Sequence, residues 1–129
     1  LLETDVVQLM WDCAHGTLQP ETVRFKNGYA VIVVLAAKGY PGAYAKGEKI
    51  TLPFPCKEES GVQILHAGTK LNEHGDLLTN GGRVLGVVAQ APTLPEAVKK
   101  AYETAELIHF DSKYLRTDIA HRELKRLGL

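Results

Sequence analysis

The sequence predicts an α+β domain, an antiparallel β-sheet flanked by helices on one face. Three observations lead there. Apolar segments of strand length follow one another from Val23 to Ala89, separated by turn residues such as Asn27-Gly28, Pro41-Gly42 and His74-Gly75-Asp76. Segments with helical periodicity lie towards the two ends of the chain, whereas a parallel fold needs them to alternate with the strands. The chain has 129 residues, 45% hydrophobic and 23% charged, which suits one soluble domain with a single core.

Val6, Leu9, Met10 and Cys13 fall at helical spacing after Thr4 and Asp5, which are capping candidates, and Gly16 stands where a left-handed cap is expected. Cys13 then reads as a small core residue. Thr17 to Glu21, with Pro20, is a polar connection and the predicted domain seam, dividing residues 1–17 from 18–129. "VRFKNGYAVIVVLAA" predicts a hairpin about Asn27-Gly28, because both central positions of a type I′ turn need positive φ. Its second arm, Tyr29 to Ala37, is nearly uninterrupted in apolar character and predicts a central strand buried on both faces. The glycine-rich "KGYPGAYAKG" ends it, with Pro41-Gly42 suited to a type II turn. Further strands are expected at Ile50–Leu52, Val62 to about Gly68, Leu77–Thr79 and Arg83–Ala89. The helix "TLPEAVKKAYETAELIHF" opens with capping-box spacing at Thr93 and Glu96 and buries Ala97, Val98, Ala101, Ala105 and Ile108. Asp111 to Thr117 reads as irregular, and Ile119 to Leu127 as a last short helix.

Composition narrows the function. Lys plus Arg and Asp plus Glu number 15 each, so no excess of base marks a nucleic-acid or anionic-membrane surface. The longest apolar run, Ala30 to Ala37, falls far short of the about 18 residues of a membrane span. Cys13 and Cys56 show no metal-ligand spacing, and an intracellular, reducing setting is the expectation. Leu1-Leu2 run straight into a helix without an initiator Met or signal-like region, as if cut from a longer protein. There is no phosphate-binding GxxxxGK[ST] loop, dinucleotide fingerprint, HExxH or nucleophile elbow. Ser60 and Ser112 have no base partner by spacing. His15, His66, His74, His109 and His121 are dispersed.

Four features can carry chemistry. In "TNGGRVLGV" a polar glycine corner runs into an apolar strand. Asn80, Gly81 and Gly82 can offer backbone N–H groups in one concave turn, and Arg83 can complete a phosphate or carboxylate site. The alternative is a hairpin turn with a solvated arginine. His66 shares a strand face with Val62 and Ile64, which suits a hydrogen-bonded core histidine or, with Gly68 and Thr69 in the corner behind it, part of a ligand wall. The Lys38–Tyr44 loop is either a lid or rim, or a tight turn with packed tyrosines. Arg116, Asp118, His121 and Arg122 in the tail read as a structural ion-pair cluster.

"VVLAAKGYPGAYAKGEKI", "HAGTKL", "LLTNGGRVLGVVA", "TLPEAVKKAYETAELIHF" and "YLRTDIAHREL" together resemble the C-terminal domain of the glycinamide ribonucleotide synthetase (phosphoribosylamine–glycine ligase) family, within the ATP-grasp superfamily. The resemblance covers nearly the whole chain, and "LLETDVVQLM" is similar to the helix at the tail of that family's ATP-grasp domain. It implies a cytoplasmic enzyme of purine biosynthesis joining 5-phosphoribosylamine and glycine, with ATP and Mg²⁺ (or Mn²⁺), to give glycinamide ribonucleotide, ADP and phosphate. It also implies that the partners of this chain are the N-terminal and ATP-grasp domains of the same polypeptide, which hold the nucleotide and metal ligands and leave this chain inactive alone. A multifunctional polypeptide is compatible with it. Arg83, with Gly82 and Gly81, is implied as the clamp on the ribose phosphate, beside a wall of His66, Gly68, Thr69 and Asn80. Two departures stand out: "PFPCKEESG" from Pro53 to Gly61, and Ala120 where glycine is usual, which implies a more helical tail. A stand-alone, non-catalytic module binding a phosphorylated small metabolite is the alternative.

Overall fold

The computed structural model describes residues 1–53 and 61–129. Cys56, Ser60 and most of the atypical "PFPCKEESG" stretch lie outside the described residues. In chain order the elements are α1 (Val6–His15), β1 (Tyr29–Ala37), β2 (Val62–His66), β3 (Thr69–Leu71), β4 (Leu77–Thr79), β5 (Arg83–Ala91), α2 (Leu94–Glu106), β6 (Lys113–Tyr114) and α3 (His121–Arg126). The main sheet is antiparallel with order β2-β5-β1-β6, and β3 and β4 pair separately as a hairpin. The α+β class and antiparallel sheet expected from the sequence are therefore what the chain forms.

β1 and β5 run side by side from Tyr29↔Ala91 to Leu35↔Leu85. Val31, Val33, Leu35 and Ala37 of β1 and Val87 and Ala89 of β5 point into the core, and α2 covers them with Leu94, Ala97, Ala101 and Ala105. Three alanines spaced along one helix face leave no bulky side chain at the contact, so α2 can lie close on β1 and β5. Ile108 and Phe110 close the end of this layer.

The other face of the sheet is open. Ile32 is 47% and Val34 39% exposed, which corrects the expectation that β1 is buried on both faces. An apolar run on a strand is ambiguous in sequence, because it is read without knowing how many layers cover the sheet.

Other expectations change for local reasons. The segment before β1 does not form a hairpin arm with it. Phe25 instead bridges Leu2, and Lys26 N–H donates to Leu1 O at 2.7 Å. Gly28 keeps positive φ (125°) because a Cβ there would stand 2.9 Å from the Ala91 carbonyl oxygen. The turn after β1 is closed by Tyr40 N–H on Ala37 O (3.1 Å), with Gly39 rather than Gly42 at positive φ, and the Tyr40–Pro41 bond is cis. Around Ile50 the described residues form only single bridges, Lys49↔Leu78 and Thr51↔His109. The strand from Val62 stops at His66, and that from Arg83 continues to Ala91. Thr93 is the N-cap residue of α2, but its side chain makes no capping bond.

The stretch read as irregular contains β6, which pairs with Ala36 and Ala37. Next to it, Lys113 Nζ donates to the carbonyls of Ala105 (3.1 Å) and Ile108 (2.6 Å), satisfying oxygens that the end of α2 leaves free. The tail cluster forms in part. Arg116 grips Asp118 through Nε (2.9 Å) and Nη2 (2.7 Å), and that guanidinium holds the Asp118 carboxyl below the usual carboxylate range. Tyr102 Oη donates to Arg116 O and accepts from Ile119 N–H, tying the tail to α2.

α1 is capped as expected by Asp5, whose Oδ1 accepts from Gln8 N–H (2.9 Å), and by left-handed Gly16. None of its residues is buried. Cys13 is exposed, so it is not a core residue here, and Val6, Val7, Met10 and Trp11 are more than half exposed.

Ala120 precedes α3 with φ 67°, the left-handed region that an L-residue other than glycine rarely occupies. The tail is thus not more helical at this point; the helix begins only after Ala120. Holding Ala there costs about 1–2 kcal/mol, partly offset by the greater unfolded-state freedom of glycine. Ala120→Gly is therefore expected to raise unfolding free energy by about 0.5–1 kcal/mol in urea denaturation, with unchanged far-UV circular dichroism.

Candidate functional site: a cleft on the open sheet face

The corner Asn80-Gly81-Gly82 leads into β5, and the corner Ala67-Gly68 follows β2. Five backbone hydrogen bonds lock the two corners and the end of β1 together. Ala67 N–H donates to Val84 O (3.1 Å), and Gly68 N–H is shared between Arg83 O (2.9 Å) and Val84 O (3.1 Å). Asn80 N–H donates to Gly68 O (2.7 Å), and Ala37 N–H to Gly82 O (2.8 Å). Such close crossing needs glycine: a Cβ on Gly68 would stand 2.6 Å from both Gly81 Cα and Arg83 O. At Gly82 a Cβ would run into the ring of Tyr40, which lies over this residue.

The orientation of Arg83 depends on a β-bulge. Strict alternation would put it on the face of Leu85, Val87 and Ala89, all buried under α2. The register shifts by one after Leu35↔Leu85, so that Ala36 pairs with Arg83. Val84 and Leu85 both turn inward, 0% and 1% exposed, and Arg83 comes out on the open face. An extra residue in one strand re-aims every side chain beyond it, and here it re-aims a cation.

Arg83 and His66 then border a cleft of about 650 Å³ on the open face. Its floor is Ile32, Val34 and Leu65, with Gly86 leaving room between them, and Tyr40 forms a wall. Among the described residues no Asp or Glu lines it. The Arg83 guanidinium has no hydrogen-bond or ion-pair partner among the described residues, so it is available to an anion. His66 is exposed, and its Nδ1 lies 3.0 Å from Thr69 Oγ1. It is not a core histidine: β2 ends there, and the side chain lies beyond the cover of α2.

Of the residues singled out in the sequence, Arg83, Gly82, His66 and Gly68 line the cleft. Thr69 reaches it only through His66. Gly81 and Asn80 stand behind the lining. Asn80 N–H is already committed to Gly68 O, while the N–H groups of Gly81 and Gly82 donate to no acceptor among the described residues. Both alternatives for the Lys38–Tyr44 loop hold in part: Tyr40 rims the cleft, and Tyr44 packs edge-on to it at 6.1 Å between centroids. Ile32, Val34 and Leu65 were not recognised as lining residues. Their alternation with Val31, Val33 and Ile64 was the signal, masked because an apolar residue on either face looks the same. Ser112 is no nucleophile partner of a histidine; its Oγ donates to Glu48 Oε2 (2.7 Å).

The Tyr40–Gly82 contact can be tested directly. Gly82→Ala is expected to destabilise the fold by about 1–3 kcal/mol through overpacking. In a Tyr40→Ala background the same change should cost markedly less, as a double-mutant cycle in urea would reveal.

Comparison with known proteins agrees with this architecture. The family described as Phosphoribosylglycinamide synthetase, C domain, matches residues 30–122, which include every residue lining the cleft. Phosphoribosylamine–glycine ligase of Synechocystis sp. is 44% identical over 125 residues, covering 96% of this chain and 29% of that protein. The bifunctional purine biosynthetic protein PUR2,5 of Pichia angusta is 46% identical over 128 residues, covering 97% of this chain and 16% of that protein. The chain thus spans less than a third of the length of the curated relatives it matches. Among solved structures, phosphoribosylamine–glycine ligase from Thermotoga maritima superposes with a TM-score of 0.72 at 42% identity, over 87% of this chain and 26% of that one. The biotin carboxylase subunit of pyruvate carboxylase shares the fold, with a TM-score of 0.51 at 21% identity. By its sequence match and by its fold, the chain belongs to the phosphoribosylglycinamide synthetase C-domain family.

Proposed function

We propose that this chain is the C-terminal domain of a cytoplasmic, ATP-dependent ligase of purine biosynthesis. That ligase joins 5-phosphoribosylamine and glycine to give glycinamide ribonucleotide, ADP and phosphate. Residues 18–129 are the domain itself. Residues 1–17 are the tail helix of the domain before it, a reading supported by the exposed apolar side chains of α1.

ATP with Mg²⁺ (or Mn²⁺) supplies the activating phosphoryl group to the glycine carboxylate. Among the described residues no group of three His, Cys, Asp or Glu is placed to hold a metal ion. The described residues do not fit that role, and no step is assigned to them through it. Nucleotide and metal belong to the N-terminal and ATP-grasp domains of the same polypeptide. No helix of the described residues is long and apolar enough to cross a membrane.

The contribution of this chain is positioning. The carrying observation is Arg83, turned by the bulge onto the open face, paired with no carboxylate among the described residues and beside a cleft. Its planar fork suits a phosphate oxygen pair, and the substrate phosphate is the permanent anion of 5-phosphoribosylamine. Holding that group fixes where the amine lies for attack on the activated glycine. Gly82 and Gly81 bring uncommitted backbone N–H groups to the same corner, and Tyr40 walls the cleft. Asn80, Gly68 and Thr69 shape the corners around it.

In the full ligase, Arg83→Ala is expected to raise KM for 5-phosphoribosylamine more than about tenfold, with a smaller change in KM for glycine and ATP. Loss of a charge-assisted contact, about 1.5–3 kcal/mol, sets that size. Arg83→Lys should recover part of the loss, because it keeps the charge and gives up the fork. Steady-state kinetics with each substrate varied in turn makes the measurement. An unchanged KM in Arg83→Ala would return this residue to a solvated strand end.

A further inference from the structure

Arg83 is one end of a row that crosses the open face of the sheet. Ala36 of β1 pairs with Arg83 of β5 on one side and with Tyr114 of β6 on the other. Residues directly opposite each other in an antiparallel ladder project to the same face. The three side chains therefore stand on the open face in the order Arg83, Ala36, Tyr114. Resting on the reading of Arg83 as the clamp on the ribose phosphate, we propose that Tyr114 binds the sugar of the same ligand.

Two neighbours fix the direction of Tyr114. Ala36 lies between Leu35 and Ala37, both buried on the α2 side, so Ala36 faces away from that helix. Lys113, next to Tyr114, pairs with Ala37 and sends its Nζ to the carbonyls of Ala105 and Ile108 at the end of α2. Tyr114 turns the other way and is 55% exposed. Its hydroxyl has no hydrogen-bond partner among the described residues.

The backbone beneath this side chain is firmly held, although β6 has only two residues. Ser112 donates to Glu48 Oε2 through its N–H (2.9 Å) and its Oγ (2.7 Å), and Lys38 N–H donates to Ser112 O (2.7 Å). Lys113 N–H donates to Phe110 O (3.0 Å). Glu48, the loop after β1 and the end of α2 thus anchor the segment from three directions. An aromatic side chain more than half exposed on so fixed a segment is placed for a contact outside the core.

Spacing and chemistry name the group it meets. Neighbouring strands lie about 4.8 Å apart, so the main chains of Arg83 and Tyr114 are about 10 Å apart. Ala36 between them carries a single methyl group, which leaves a shallow slot with a guanidinium at one end and a phenol at the other. A phosphorylated sugar spans such a slot with its phosphate at Arg83 and its ring against Tyr114. The aromatic face packs on the C–H side of a furanose, and the phenol both donates to and accepts from a sugar hydroxyl. In the other direction from Arg83 the floor of Ile32, Val34 and Leu65 is aliphatic and offers nothing to sugar hydroxyls.

Ribose 5-phosphate and inorganic sulfate, each scored as a competitive inhibitor against 5-phosphoribosylamine in the full-length ligase, test this assignment. Tyr114→Ala is expected to weaken ribose 5-phosphate about fivefold to twentyfold and to leave sulfate within about twofold of the wild type. KM for 5-phosphoribosylamine should rise in step with the first change, and KM for ATP should stay as it is. Tyr114→Phe keeps the ring and should weaken ribose 5-phosphate about threefold, through the hydroxyl alone.

Wild-type affinity for ribose 5-phosphate in Tyr114→Ala would overturn the proposal. So would an equal loss for both inhibitors, because a sugar contact cannot weaken bare sulfate. If Tyr114→Ala disturbs the fold, seen as a raised KM for ATP, Tyr114→Phe decides, and wild-type affinity for ribose 5-phosphate in that variant overturns it. If Arg83→Ala weakens both inhibitors while Tyr114→Ala weakens neither, the phosphate clamp stands and only the role of Tyr114 falls. If Arg83→Ala weakens neither, the phosphate-site reading falls as well.

Discussion

The ladder between β1 and β5 positions everything else in this chain. It sets which residues meet α2, and its irregularity sets where Arg83 goes. Up to Leu35↔Leu85 the pairing is regular, and one face of both strands is buried under an alanine-spaced helix. Beyond that point the register shifts, two consecutive valine and leucine side chains turn inward, and the next residue is a cation facing out. Core packing and site placement are thus two consequences of one defect. The buried side chains of Val84 and Leu85 hold the bulge in place, because undoing it would drive a guanidinium into the layer under α2. Burying an unpaired cation costs far more than the bulge relieves.

The glycines at the crossing work in the same direction. Gly68 and Gly81 pass so closely that neither position has room for a Cβ, and the hydrogen bonds there join two corners to the start of β5. Gly82 gives its own missing side chain to Tyr40. A wall and two backbone corners are therefore fixed by contacts between main chains, which are stiffer than side-chain contacts alone. Corners fixed in this way leave little backbone ordering to be done on binding.

The two faces of the sheet divide the labour. The α2 face is closed, and its residues answer to packing density. The open face is apolar in the middle and basic at the rim, with Ile32, Val34 and Leu65 as a floor below Arg83 and His66. An apolar floor excludes water from beneath a charged contact and strengthens it. Together with the exposed apolar residues of α1, that face gives the chain more uncovered apolar surface than scattered single exposures would. Relatives several times longer than this chain are consistent with such surfaces having neighbours.

The class of fold, the two main strands, the helix at Leu94, the glycine corners and Arg83 as a candidate were all legible in the sequence. Each is written in local terms: apolar period, turn residues, or a charge at the edge of an apolar run. The glycines and the arginine of the candidate site were named there too, since glycines beside a lone arginine are conspicuous wherever they fold, whereas the floor residues Ile32, Val34 and Leu65 were not. What the sequence could not contain was the face on which each one lies. Counting by twos from Val87 puts Arg83 in the core, and only pairing with Ala36 across a bulge puts it in the cleft. The open face of β1 was hidden for a similar reason, since Ile32 and Val33 carry the same apolar signal whichever layer covers them. The lysine that ends α2 and the short β6 beside it are contacts across the fold with no local pattern. Residue type and spacing were thus settled by the chain itself, whereas direction was settled by tertiary pairing, because a strand acquires its two faces only when a partner fixes its register.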